Sequence, residues 1–271
     1  MPHITLDYSP LAGSRSEIYY RELNHGGGFP LLFLHGGWGY DIYPLDRQLA
    51  MLNGFAVLTP DRSGYGRSTK PAVFGSDFHR RAAEETLRFL DGLHIDRCLF
   101  WGHSDGAVIA AWIGLVAPER CHGLILESFH YNCQKLSSRA WFEGMVFAPE
   151  SVGDRAREVL AREHGEHYWR ELIRSEGQSW LDIARSCNSI RGDLYDGRLS
   201  ELTVRVLIIY GARDPHIEPQ ERDAVHRELP NASLHVIEAA GHSPHSKSSS
   251  AEECGRIIHD WLLPSFAPDR T

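Results

Sequence analysis

Gly102-His103-Ser104-Asp105-Gly106 is the stretch that decides the reading of this chain. The pentapeptide has the form G-x-S-x-G, which on its own recurs by chance. Its setting carries the information. Just before it, Cys98-Leu99-Phe100-Trp101 is a continuous apolar run, as expected of a strand buried on both faces. Just after it, residues 106–117 are apolar nearly all round, the pattern of a central buried helix, and Pro118 stops that helix. A serine between such a strand and such a helix occupies a tight turn. Small flanking residues let the backbones pass closely, and the helix N-terminus points positive partial charge at the hydroxyl.

Outward from this turn, strand-like runs alternate with helical patterns. Residues 3–8 and 18–23 alternate in polarity and predict an antiparallel pair at one sheet edge. Runs at 30–34, 55–59, 123–126, 204–210 and 234–237 predict further strands, and Phe78, Ala82, Leu87 and Leu90 form the greasy stripe of a helix, which Gly92 follows. The alternation predicts an α/β protein with a mostly parallel, doubly wound sheet. It fails between residues 129 and 199, which carry helical punctuation, many Arg and Glu, and no β-branched run. We therefore expect a helical cap at 129–199, inserted into a core made of 1–128 and 200–271. Trp141, Trp169 and Trp180 are candidates to line a pocket beneath it. The polar stretch 243–250 leads into a C-terminal helix expected to end near residue 263.

Composition narrows the function class. The chain has 271 residues, 42% of them hydrophobic and 24% charged, which fits a globular domain and excludes a disordered one. Its charge, 28 − 36 = −8, argues against a nucleic-acid partner. The longest uncharged apolar stretch, 106–118, is well short of the roughly 20 residues that cross a bilayer, so no membrane partner is expected. The first residues lack the basic and apolar regions of a signal peptide, which leads us to expect a cytoplasmic protein. Five cysteines (98, 121, 133, 187 and 254) are widely spaced with no CxxC pair, so we expect reduced thiols, with neither a disulfide nor a zinc site. The expected partner is a small-molecule substrate; nothing specifies an oligomeric state.

A serine hydroxyl needs a base, and the base needs an orienting acid. On a parallel sheet both must arise at the carboxyl ends of strands. The strand at 204–210 ends in Gly211-Ala212-Arg213-Asp214-Pro215 and presents Asp214. The strand at 234–237 leads into Ala239-Ala240-Gly241-His242-Ser243 and presents His242. His245 is a rival base and Glu127 a rival acid. Acyl transfer also needs donors for the tetrahedral oxyanion. One is the N–H of Asp105, after the nucleophile. The other comes from His35-Gly36-Gly37-Trp38-Gly39-Tyr40, where Gly37 is the first choice and Trp38 the second; Trp38 is also a candidate substrate contact. The Asp105 side chain leaves two readings open. Its charge is a liability beside an oxyanion, so it either turns away to backbone N–H groups or an arginine, or it binds a cationic group of the substrate. His164 and His167, three apart, are read as a solvated cap face. No metal or organic cofactor is expected.

Taken together, His35-Gly36-Gly37, Asp61-Arg62-Ser63-Gly64-Tyr65-Gly66-Arg67-Ser68, the Ser104 turn, Gly211-x-x-Asp214 and Gly241-His242 resemble the α/β-hydrolase superfamily in order and spacing. The resemblance implies a Ser104-Asp214-His242 triad. Dehalogenases and epoxide hydrolases of this fold carry a carboxylate at the elbow, where this chain has Ser104. The Ser-Asp-Gly elbow and Glu163-His164-Gly165-Glu166-His167-Tyr168-Trp169 are similar to the biphenyl-hydrolase-like, valacyclovir-hydrolase-like esterases. The implied function is hydrolysis of a small carboxylic ester through an acyl-enzyme. The alternatives are C–C, amide or aminoacyl cleavage or acyl transfer on the same triad, and a hydrolase-like small-molecule receptor with little turnover.

Overall fold

The computed structural model describes residues 1–24 and 28–266. Its eight strands are β1 (His3–Ser9), β2 (Ser14–Glu22), β3 (Phe29–Leu34), β4 (Phe55–Pro60), β5 (Cys98–His103), β6 (Cys121–Glu127), β7 (Val206–Gly211) and β8 (Ser233–Ile237). They form one sheet in the order β1-β2-β4-β3-β5-β6-β7-β8. β1, β2 and β4 pair antiparallel, and every pairing from β4 to β8 is parallel. Every strand read from the sequence is present. The apolar continuity of the central ones has the expected cause, since each residue of β5 and of β7 is buried.

Successive side chains of these strands feed two cores. Leu32, Leu34, Phe100, Leu124, Leu126, Ile208 and Tyr210 face α1 (Phe78–Gly92) and α2 (Asp105–Val116). Leu31, Phe33, Val57, Leu99, Trp101, Ile125, Leu207 and Ile209 face α7 (Ala251–Phe266) on the other side. α7 runs three residues past the expected end. Between β6 and β7 lie α3 (Arg139–Phe147), α4 (Asp154–His164) and α5 (Tyr168–Ser186), and α6 (Pro219–Glu228) follows β7.

Cys133 and Cys187 form a disulfide, with Cα atoms 6.0 Å apart, which corrects the expectation of five free thiols. The two cysteines are 54 residues apart in sequence, and the fold brings the chain leaving β6 beside the end of α5. The other three cysteines are free and buried. Among the described residues no helix is long and apolar enough to cross a membrane.

Candidate active site

The turn between β5 and α2 is built by its glycines. A Cβ on Gly102 would lie 2.2 Å from the Gly106 carbonyl oxygen, and one on Gly106 would lie 1.9 Å from that of Leu34. Only glycine permits this approach. The residue between is forced into the left-handed region, and Ser104 sits there with φ 54° and ψ −119°. That conformation costs a non-glycine residue about 1–3 kcal/mol and is held by the packing around it. It lifts the hydroxyl above the carboxyl edge of the sheet.

Ser104 Oγ lies 3.0 Å from His242 Nε2. His242 Nδ1 lies 3.0 and 2.9 Å from the two carboxylate oxygens of Asp214. Asp214 also accepts the His216 N–H at 2.9 Å. Burial raises the Asp214 pKa, but the His242 charge and these hydrogen bonds outweigh it and hold the carboxyl well below the usual range. The imidazole is fixed from behind as well, because its backbone carbonyl accepts from His103 Nε2 at 2.8 Å and from Ser128 Oγ at 2.7 Å. Burial pushes the His103 pKa down to about 3, so that ring is neutral.

The side chains of the rival acid and the rival base pair with each other and not with Ser104 Oγ. His245 Nδ1 faces both oxygens of Glu127 at 2.9 Å, Trp101 Nε1 donates to the same carboxylate at 3.0 Å, and His245 Nε2 faces the Tyr43 carbonyl at 2.9 Å. Both side chains are fully buried. Each is therefore satisfied by the other, and the pair ties β6 to the loop carrying His242.

The loop after β3 closes the other side. Arg62 donates to the carbonyls of His35 and Gly36. The Trp38 N–H donates to Glu176 Oε1 at 3.2 Å, whereas the N–H groups of Gly37 and Asp105 have no protein acceptor among the described residues. Trp38 adopts φ 73°. Side chains of α4 hold this loop. Glu163 accepts the N–H groups of Tyr40 and Asp41 at 2.8 and 3.0 Å. His164, expected on a solvated face, is buried: its Nδ1 accepts the Gly66 N–H at 2.9 Å and its Nε2 donates to the Trp38 carbonyl at 2.9 Å. His167 is exposed.

Asp105 turns its carboxylate to His79 of α1, with Oδ1 2.8 Å from Nε2. The partner is a histidine, not the backbone or arginine expected. Burial raises the carboxyl pKa, but the bond and charge of His79 bring it below the ordinary value. The other oxygen of Asp105 and Oε2 of Glu176 both approach Gly37, where a Cβ would meet them at 3.0 and 3.2 Å. Glu176 of α5 also accepts the Tyr65 hydroxyl. Burial, reinforced by the charge of Asp105, raises the Glu176 pKa to about 8.

A cleft of about 560 Å³, part of it open to solvent, runs over Ser104 and His242. Trp141, Phe142 and Met145 of α3 and Trp180 of α5 supply its apolar wall. Trp38 stacks on Trp141 at 5.5 Å, and Phe142 on Trp180 at 5.3 Å. Of the three candidate tryptophans, Trp169 is instead buried in the core beneath α5. Sequence reasoning missed His130, His79 and Glu176 altogether. Among the described residues no three potential metal ligands gather.

A family profile described as "Alpha/beta hydrolase family" matches residues 31–254. The chain is similar to the putative carbamate hydrolase RutD of Pseudomonas syringae pv. syringae (strain B728a), 25% identical over 83% of this chain and 90% of that one. It is also similar to the 2-hydroxymuconate semialdehyde hydrolase of Pseudomonas sp. (strain CF600), at 23% identity over 94% and 93%. Among solved structures, a thermophilic esterase from Thermogutta terrifontis shares the fold with a TM-score of 0.69 and 21% identity, covering 97% of this chain and 99% of the other.

Proposed function

We propose, from the premise that this chain belongs to the alpha/beta hydrolase family, that it cleaves small carboxylic esters through an acyl-enzyme on Ser104. The observation that carries this is the unbroken line from Ser104 Oγ through the His242 imidazole to Asp214. Ser104 Oγ attacks the ester carbonyl while His242 Nε2 takes its proton. Asp214 holds the imidazole by Nδ1–H and stabilises the imidazolium, whose charge a neutral partner could not offset. The N–H groups of Gly37 and Asp105 receive the oxyanion, since that of Trp38 is taken by Glu176. His242 then returns the proton to the leaving alcohol, and water cleaves the acyl-enzyme by the same route. In this reading Trp38 and the cap aromatics bind the substrate, while the Asp105 carboxylate is occupied by His79 and binds no cationic group of the substrate. Residues 129–199 serve as the cap over this site. The likeness to biphenyl-hydrolase-like esterases belongs to the same proposal.

A panel of p-nitrophenyl esters, lactones, amides and carbamates tests it. Esters should turn over steadily after an acylation burst; release that stops at one equivalent would indicate a receptor. Ser104→Ala and His242→Ala should each lower kcat by about four or more orders of magnitude, and the double variant by little more, because the residues act as a unit. Asp214→Asn should fall by a comparable amount. Full activity in Ser104→Ala refutes the mechanism, and damage confined to Glu127→Gln refutes the choice of acid.

A further inference from the structure

Ser104 Oγ has a second imidazole against it. His130 Nε2 lies 3.2 Å from Oγ, nearly as close as His242 Nε2 at 3.0 Å. His130 follows β6 by three residues, is buried, and lines the cleft. Its place is fixed from both directions. The Tyr195 hydroxyl donates to its carbonyl at 2.6 Å, and its ring packs edge-on to Trp180 at 5.2 Å. Its Nδ1 is buried with no hydrogen-bond partner.

Proton bookkeeping fixes what His130 does. Ser104 Oγ has one hydrogen, which must point to His242 Nε2, because His242 Nδ1 is committed to Asp214. What Oγ offers His130 is a lone pair. If the His130 proton sat on Nδ1, two lone pairs would face each other and a buried donor would be orphaned. With the proton on Nε2, His130 donates to Oγ and leaves only a bare acceptor at Nδ1, the less costly defect. No carboxylate faces Nδ1 to support an imidazolium. Burial, with Lys135, His242, His216 and His79 nearby, also drives the His130 pKa well below the ordinary value. His130 is therefore a neutral donor and not a rival base.

We infer that His130 is a catalytic residue that donates Nε2–H to Ser104 Oγ and eases the departure of that oxygen when the acyl-enzyme is hydrolysed. The inference rests on the acyl-enzyme reading above. In deacylation, water attacks the acyl carbon and gives its proton to His242 Nε2. The tetrahedral intermediate then collapses: the C–Oγ bond breaks, its electron pair stays on Oγ, and His242 returns the proton to Oγ. The His130 hydrogen never leaves nitrogen; it withdraws negative charge from Oγ as that charge develops. The carboxylic acid and free Ser104 are the products. During acylation the same bond draws on the oxygen that must attack, so it offers no comparable help. The two half-reactions should respond differently to its loss.

Burst kinetics on p-nitrophenyl acetate, with intact-mass detection of acetyl-Ser104, separates them. His130→Phe keeps a ring but no donor. It should slow deacylation about 10–100-fold and change acylation by less than about threefold, so that acyl-enzyme accumulates and kcat and KM fall together. His130→Gln places an amide N–H near the Nε2 position and should recover deacylation to within about fivefold of wild type. If the phenyl ring does not pack, as read by thermal melting, His130→Asn repeats the test, because its shorter amide does not reach Oγ. Equal slowing of both steps, or a folded His130→Gln no better than the variant without a donor, overturns the inference while leaving the triad standing. A wild-type protein that turns over ester yet never gains acetyl on Ser104 overturns the acyl-enzyme reading, and this inference with it.

Discussion

Replacing Glu176 with glutamine should barely alter activity near neutral pH and should remove a large alkaline penalty on stability. The carboxyl is buried 2% exposed, beside the carboxylate of Asp105, and its pKa is raised to about 8 from the usual 4.5. At pH 7 it therefore carries its proton. One oxygen accepts from Trp38 N–H and the Tyr65 hydroxyl, and the other lies beside Gly37 and Asp105. Glutamine reproduces this: its carbonyl takes the two donors, and its NH₂ replaces the acid O–H. The sign of the pH effect follows from the direction of the shift. Between about pH 4.5 and 8 the folded protein holds a proton that the unfolded chain has lost, so stability falls as pH rises, by up to about 1.4 kcal/mol per unit. Across that window the penalty approaches about 5 kcal/mol, and it is constant above pH 8. Urea denaturation of wild type and Glu176→Gln from pH 5 to 9 measures the difference in slope. Glu163, whose pKa burial and Asp41 also raise to about 8, contributes equally to both proteins and cancels. Identical slopes, or loss of activity in Glu176→Gln at pH 7, would refute the assignment of a neutral acid.

Two further outcomes follow from the cleft. Asp105→Asn, which removes a buried charge-assisted bond to His79, should cost about 1–3 kcal/mol of stability in thermal melting and weaken neutral and aminoacyl esters alike; a loss confined to aminoacyl esters would return the carboxylate to substrate binding. Trp180→Ala, which strips the ring stacked on Phe142, should shift ester chain-length preference while unfolding remains cooperative, and an unchanged preference profile would place the acyl chain elsewhere.

The parts of the fold and site that were readable share a physical property: their signal is local in the chain. β5 is a continuous apolar run because both its faces are covered, and Gly102 and Gly106 are glycines because backbone passes within contact of their Cα atoms. Asp214 and His242 stand directly beyond strand ends, so the sheet itself aims them. The partners that were not readable are assembled across the fold. His79 meets Asp105 from a helix 26 residues earlier, and Cys133 meets Cys187 across 54 residues. The helical segment between β6 and β7 is the extreme case. Its charge-rich helices announce that some face is wet, yet not which one, so His164 reads as solvated although the last turn of α4 presses it between Gly66 and Trp38. His130 gave no signal because nothing about an isolated histidine states that a serine 26 residues away will lie against it.

The hold of α4 and α5, the proposed cap, on the loop after β3 bears on how modular this architecture is. Glu163 and Glu176 accept N–H groups of Trp38, Tyr40 and Asp41, and His164 donates to the Trp38 carbonyl, so the loop takes its shape from side chains of α4 and α5. A cap transplanted from another hydrolase would bring new walls but withdraw these acceptors, leaving buried N–H groups orphaned at about 1–3 kcal/mol each. The loop would relax, and with it the amide of Gly37. Exchanging caps to retarget such an enzyme thus disarms it unless the clamp of two glutamates and a histidine travels with the graft.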